Sequence, residues 1–246
     1  MTTAALRSPS TVARIRCFLR RHPEYGAVVA AAAAWASAIA LHLGHAESTP
    51  TSVRHHGGTE AAIAPAPILL WALMCVAMMV PVSLPAIRHV GINSLRWRRQ
   101  RAIAIFLAAY LGVWVACGLA ALPVIAFVRG HLDDNVVLAM TVGAAAVWQL
   151  LPYQRRFLRA CHRTVPLPPR GRRAAAGSAR FGLRYGRACV GVCGPLMLVM
   201  AAVVDQALLA MVAITAVVAC IKLLPRSDRL SGPIAFMLGT YALTLL

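Results

Sequence analysis

A chain of 246 residues that is 60% hydrophobic and only 13% charged lacks the polar surface of a soluble domain, in which about 25% of residues are charged. Its net charge of +18 would alone suggest nucleic acid, but the basic residues alternate with apolar runs long enough to cross a bilayer, a pattern of membrane topology that excludes a nucleic-acid partner. The expected fold is all-α, a polytopic transmembrane helical bundle over 27–246 behind a basic cytoplasmic tail at 1–26.

A span needs about 20 mostly apolar residues, and the chain offers seven such segments: 27–43, 66–87, 102–128, 136–153, 188–204, 207–224 and 232–246. The first is rich in alanine. Residues 1–46 also read as a cleaved signal peptide with Gly44-His45-Ala46 as a small-x-small site, which would leave the rest of the topology unchanged. Arginines cluster in the tail (Arg7, Arg14, Arg16, Arg20, Arg21), after the second span (Arg88 to Arg101), in an arginine-rich loop at 154–187 after the fourth, and with Lys222 at the close of the sixth. Only Arg54 and Arg129 fall on the other side, together with Glu47, Glu60, Asp133, Asp134 and Asp205. Short loops rich in Lys and Arg stay in the cytoplasm, so seven spans with the amino terminus inside satisfy every loop. Arg155, Arg156, Arg170, Arg172 and Arg173 are expected on anionic lipid head groups, each worth on the order of 1 kcal/mol near the surface. The stretch from Thr164 to Gly186 reads as a loop or surface helix rather than a span. Lys222 is expected to snorkel to the inner interface, and Asp205 to cap a turn.

The second span carries Trp71, Met74, Cys75, Met78 and Met79 ahead of Pro81 and Pro85. Met74 and Met78 share a helical face, and the prolines free backbone carbonyls that neighbouring helices must satisfy. In the fifth span Cys189, Cys193 and Met197 follow one another at four-residue steps. Thiols and thioethers suit Cu(I) or a similar soft ion; the same residues also fill gaps and let helices approach closely. At 1.5 Å rise per residue His89 lies roughly 22 Å along the axis from Met74, too far to share an ion. A site is therefore either a cytoplasmic His/Cys cluster (His89, Cys161, His162, Cys189, Cys220) or a deeper tier in which Met78 and Met197 are expected at similar heights. His42, His45, His55 and His56 outside could capture a divalent ion or form a plain polar loop. The seven cysteines are odd in number and none is expected in an external loop, so a disulfide framework is not expected. No arrangement for hydrolysis stands out, so an enzyme is not expected, and with no ATP-binding motif or intramembrane acid energised pumping by this chain alone is disfavoured.

On these residues the chain resembles a bacterial family of predicted metal-binding integral membrane proteins. The family hallmark Trp-x-x-Met-x-x-Ala-Met-Met-x-Pro is met by Trp71, Met74, Ala77, Met78, Met79 and Pro81, and Phe106, Tyr110 and Trp114 are similar to its Phe-x-x-Gly-Tyr-x-x-x-Trp. The resemblance runs from about residue 65 to 225 and implies residence in the bacterial cytoplasmic membrane and handling of copper or another transition metal. It implies Met74, Met78, Met79, Cys189, Cys193 and Met197 as ligands, with Cys161 and His89 as cytoplasmic acceptors and a metallochaperone or partner membrane protein nearby. The chain departs from the family at Phe157 and Val192, where cysteine is expected, at Tyr185 for histidine, Gly194 for tryptophan and Ile221 for glutamate. Those departures leave open a second expectation, a degenerate assembly subunit that no longer binds metal.

Overall fold

The computed structural model describes residues 22–47, 65–168, 171–203, 207–224 and 231–244, and these fold into helices and short connections. In chain order the helices are α1 (Tyr25–Glu47), α2 (Pro65–Val82), α3 (Leu84–Ile92), α4 (Arg99–Arg129), α5 (Asp134–Leu150), α6 (Pro152–His162), α7 (Gly171–Ala202), α8 (Ala207–Leu223) and α9 (Ser231–Thr244). Four of them, α1, α2, α4 and α7, are long and apolar enough to cross a membrane, and α5 with α6 makes a fifth if that bent pair is one span. Each of the seven expected apolar segments contains helix over most of its described residues. Arg170, residues 1–21 of the amino-terminal tail, His55, His56, Glu60 and Asp205 lie outside the described residues.

Three boundaries differ from the sequence reading, each for a local reason. The expected span at 66–87 is broken at Ser83. Pro81 has no N–H to continue the ladder, and the Ser83 N–H turns back to the Val80 carbonyl at 3.0 Å while its hydroxyl donates to the same oxygen at 2.9 Å. The expected span at 136–153 stops at Leu150, because Leu151 precedes Pro152 and is extended, as residues before proline prefer; α6 leaves at 73°. The expected loop at 154–187 is mostly helix. Its first part is α6, and from Gly171 onward it runs without interruption into the expected span at 188–204 as the 32-residue α7. One face of that extension is buried through Ser178, Phe181, Gly182, Tyr185 and Gly186, while Arg172, Arg173, Arg180, Arg184 and Arg187 are exposed on the other. Arg155 and Arg156 are exposed likewise on α6.

The core is built around the contact of α4 with α7. Backbone approach is close because α7 presents glycine there: a Cβ at Gly182 would lie 2.5 Å from the Phe106 carbonyl oxygen, and one at Gly186 would lie 3.1 Å from Val113. Removing the side chain allows two backbones to pack by dispersion where any larger residue would separate them. Phe106, Phe181, Tyr185 and Tyr110 fill the seam, with neighbouring ring centroids 5.3 to 6.1 Å apart. The carbonyls orphaned by Pro81 and Pro195 are satisfied from other helices. The Trp35 indole donates to Ala77 O at 2.8 Å, four residues before Pro81, and the Trp148 indole donates to Gly191 O at 2.8 Å, four before Pro195.

Candidate metal centre

The break at Ser83 shapes the site. The Ser83 N–H would normally bond the carbonyl of Met79; once it turns to Val80, the Met79 oxygen needs another donor, and the Tyr110 hydroxyl of α4 stands 3.3 Å away. The same hydroxyl is 3.2 Å from Cys189 Sγ on α7. From α8 the Lys222 ammonium donates to Cys189 Sγ at 2.8 Å and sits 5.0 Å from the centre of the Tyr185 ring, a cation–π geometry. Cys193, one turn along α7, hydrogen-bonds Cys189. Cys75 of α2 lies within electrostatic reach of Cys189. Cys75, Met78, Met79, Cys189 and Cys193 are all buried.

Lys222 overturns its expected snorkelling: only 5% of its surface is exposed. A buried ammonium requires a partner able to carry negative charge, and the acceptor it meets is the Cys189 sulfur. A cation at that distance is the charge partner that a metal-bound thiolate would need. On the side bearing the arginines a cavity of about 100 Å³ reaches this group, lined by Pro85, Ala86, Cys161, His162, Tyr185 and Lys222 among others. Cys161 of α6 is partly exposed at its mouth, and burial pushes its thiol up to about 12.

The remaining expected ligands are dispersed. His89 has both ring nitrogens engaged: Nε2 faces the Val165 carbonyl at 3.1 Å and Nδ1 faces the Asn93 amide at 3.2 Å, while the ring packs on Phe181 at 5.7 Å. It ties α3 to the segment after α6 and offers no free nitrogen. Met74 is only partly buried at the edge of the core. Met197 is buried, but it lies eleven residues beyond Gly186, which abuts Tyr110. At 1.5 Å per residue that is roughly 16 Å, so Met197 stands well beyond Met78 and Met79, not level with them. Among the described residues no three His, Cys, Asp or Glu side chains gather where they could hold a metal ion. What converges is a cysteine pair with the Lys222 ammonium, the Tyr110 hydroxyl and a third thiol nearby. Such a set suits a soft monovalent ion of low coordination number better than a divalent one that needs several harder donors.

Tyr110 and Lys222 are the members that reading for ligands alone missed. Lys222 had a signal in the sequence. With Met211, Ile214 and Val218 it completes an i, i+3, i+7, i+11 series, all four positions being buried, so the lysine falls on the apolar stripe of α8.

Residues 68–245 match the family model described as "PpoB2: Copper chaperone". No curated protein matches the chain, and no solved structure does.

Proposed function

The chain belongs to the PpoB2 copper chaperone family, and from that premise we propose that it is an integral membrane protein that binds Cu(I) between Cys189 and Cys193 and passes it on, without acting as an enzyme. Met78 and Met79 supply thioethers beside the thiolates, and Cys161 exchanges copper at the mouth of the cavity. Seven spans place this mouth on the cytoplasmic side of a bacterial inner membrane, with Arg155, Arg156, Arg172 and Arg173 on anionic head groups and a metallochaperone or membrane partner as the other party to the transfer. One observation carries the reading: a buried lysine held 2.8 Å from the sulfur of one of two adjacent buried cysteines. Two thiolates and Cu(I) together carry one negative charge, which the ammonium offsets. A buried ion without such an offset would cost several kcal/mol even after relaxation.

Copper analysis of detergent-purified protein after exposure to Cu(I) tests this. About one copper per chain is expected in the wild type, with loss in Cys189→Ser and Cys193→Ser and weaker retention in Met78→Leu. A second reading, the assembly subunit without metal, is favoured by the absence of any three-ligand His, Cys, Asp or Glu group among the described residues. Copper-free wild-type protein that co-purifies with a membrane partner would establish it instead.

A further inference from the structure

We propose that the copper entering this site comes as a small anionic Cu(I)–thiolate complex and not as the bare cation, an inference that rests on the copper reading above. A cavity beside Cys161 leads to Lys222, whose ammonium bonds the Cys189 sulfur, and no carboxylate is among its lining residues. Beside its mouth Arg156, Arg159 and Arg163 line an open cleft along α6, and Arg180, Arg184 and Arg187 are exposed on α7. Glu24, at the foot of α1, is engaged by His22 at 3.4 Å and does not line the cavity. Guanidinium groups stay charged at any working pH. A free copper cation thus approaches against a field of its own sign, whereas an anionic complex is drawn in, and such steering changes association rates by 10 to 10³-fold.

Size narrows the choice further. About 100 Å³ admits a metal with the tip of one sulfur ligand; pockets that enclose a drug-sized molecule run to about 300 Å³ or more. The chemistry at the mouth is thiol exchange. A two-coordinate complex RS–Cu–SR of charge −1 meets the Cys161 thiol; a bond forms from copper to the Cys161 sulfur, one copper–SR bond breaks, and the Cys161 proton leaves on the departing RSH. Copper stays Cu(I), and the bound complex keeps its single negative charge. Repeating the exchange inward carries copper to Cys189 and Cys193, where Lys222 balances it.

The test loads the full chain, in zwitterionic detergent, from Cu(I) bis-thiolate complexes of glutathione (strongly anionic), 2-mercaptoethanol (singly anionic) and cysteamine (cationic) at matched free-copper activity. Loading is followed by the ultraviolet copper–thiolate absorption in a stopped-flow instrument, and final occupancy by metal analysis. At low salt the glutathione complex is expected to load at least tenfold faster than the cysteamine complex, with the gap closing at about 0.5 M salt as screening shortens the field. The combined variant Arg156→Gln, Arg159→Gln, Arg163→Gln should narrow the gap and leave final occupancy unchanged. Full occupancy reached at equal rates from all three donors, or fastest from cysteamine, overturns the inference and leaves the copper site standing. No occupancy from any donor overturns both.

Discussion

Every basic side chain here except Lys222 is an arginine, and the exception occupies the one place where a guanidinium would fail. The niche between Cys189 and the Tyr185 ring offers one sulfur acceptor and one aromatic face. An ammonium is a compact charge on a flexible stem, while a guanidinium presents five donors in a rigid fork that needs more acceptors. Lys222→Met should therefore lower Cu(I) affinity at least tenfold, and Lys222→Arg should not restore it, as measured by competition with a chromogenic Cu(I) chelator; unchanged affinity in the methionine variant would remove the lysine from the site. Cys161 supports a second prediction. Its thiol is pushed up to about 12, chiefly by burial, so at pH 7.5 nearly all of it is protonated, and only the thiolate reacts with maleimide. The exposed Cys220 should label first, and Cys161 labelling should speed up about tenfold per pH unit between pH 8 and 10; a plateau already at pH 8 would contradict the raised value. Of the candidate site, the adjacency of Cys189 and Cys193 was legible from their four-residue spacing. His89 misled because a histidine at a helix end reads as an available ligand until both of its nitrogens are seen to be occupied.

Helices α2 and α7 each carry a proline, and each relies on an indole from elsewhere to satisfy the carbonyl it frees. Trp35→Phe strips the donor from Ala77 O and should destabilise the protein by about 1–3 kcal/mol, the cost of a buried group left without its bond. In a Pro81→Ala background the restored N–H can bond Ala77 O itself, so the same Trp35→Phe change should cost much less; a double-mutant cycle on denaturation in detergent reads the coupling, and additive effects would refute the pairing. Between α4 and α7 the controlling residue is Gly182. A methyl there meets Phe106 O, which is backbone and cannot rotate away, so Gly182→Ala should destabilise by about 1–3 kcal/mol and also weaken copper binding by separating Tyr110 from Cys189. Gly239, with nothing within 4 Å of an added Cβ, is the control. Hydropathy located the helices, since apolar length needs only composition. It could not locate the start of α7, because the arginines of 172–187 depress mean hydropathy although they occupy one face only. The series Ser178, Gly182, Gly186 at four-residue steps is the physical signal that joins this region to the span.

At the scale of the whole molecule, the positive charge of the described residues is gathered at one end, and Arg129 at the other end is the instructive exception. It pairs with Asp134 at 3.2 Å and donates to the Ala202 carbonyl at the far end of α7, so its charge is neutralised locally and gives little bias to orientation. The free arginines do: Arg155, Arg156, Arg172, Arg173 and Arg184 are exposed with no carboxylate partner among the described residues, and moving each across a bilayer against the retention of Lys and Arg on the inner side is disfavoured. If α5, alone or with α6, makes one crossing, as the proposed membrane topology has it, the connection between α4 and α5 at Gly130 and the start of α7 at Arg172 are expected to face opposite compartments. Gly130→Cys should react with a membrane-impermeant maleimide on intact cells, and Arg172→Cys only after permeabilisation, with the modified site assigned by mass spectrometry against the native cysteines. Reaction of both from outside would mean that the pair α5 and α6 turns back without crossing, and the cavity beside Cys161 would then open on the exterior with its copper donors drawn from there.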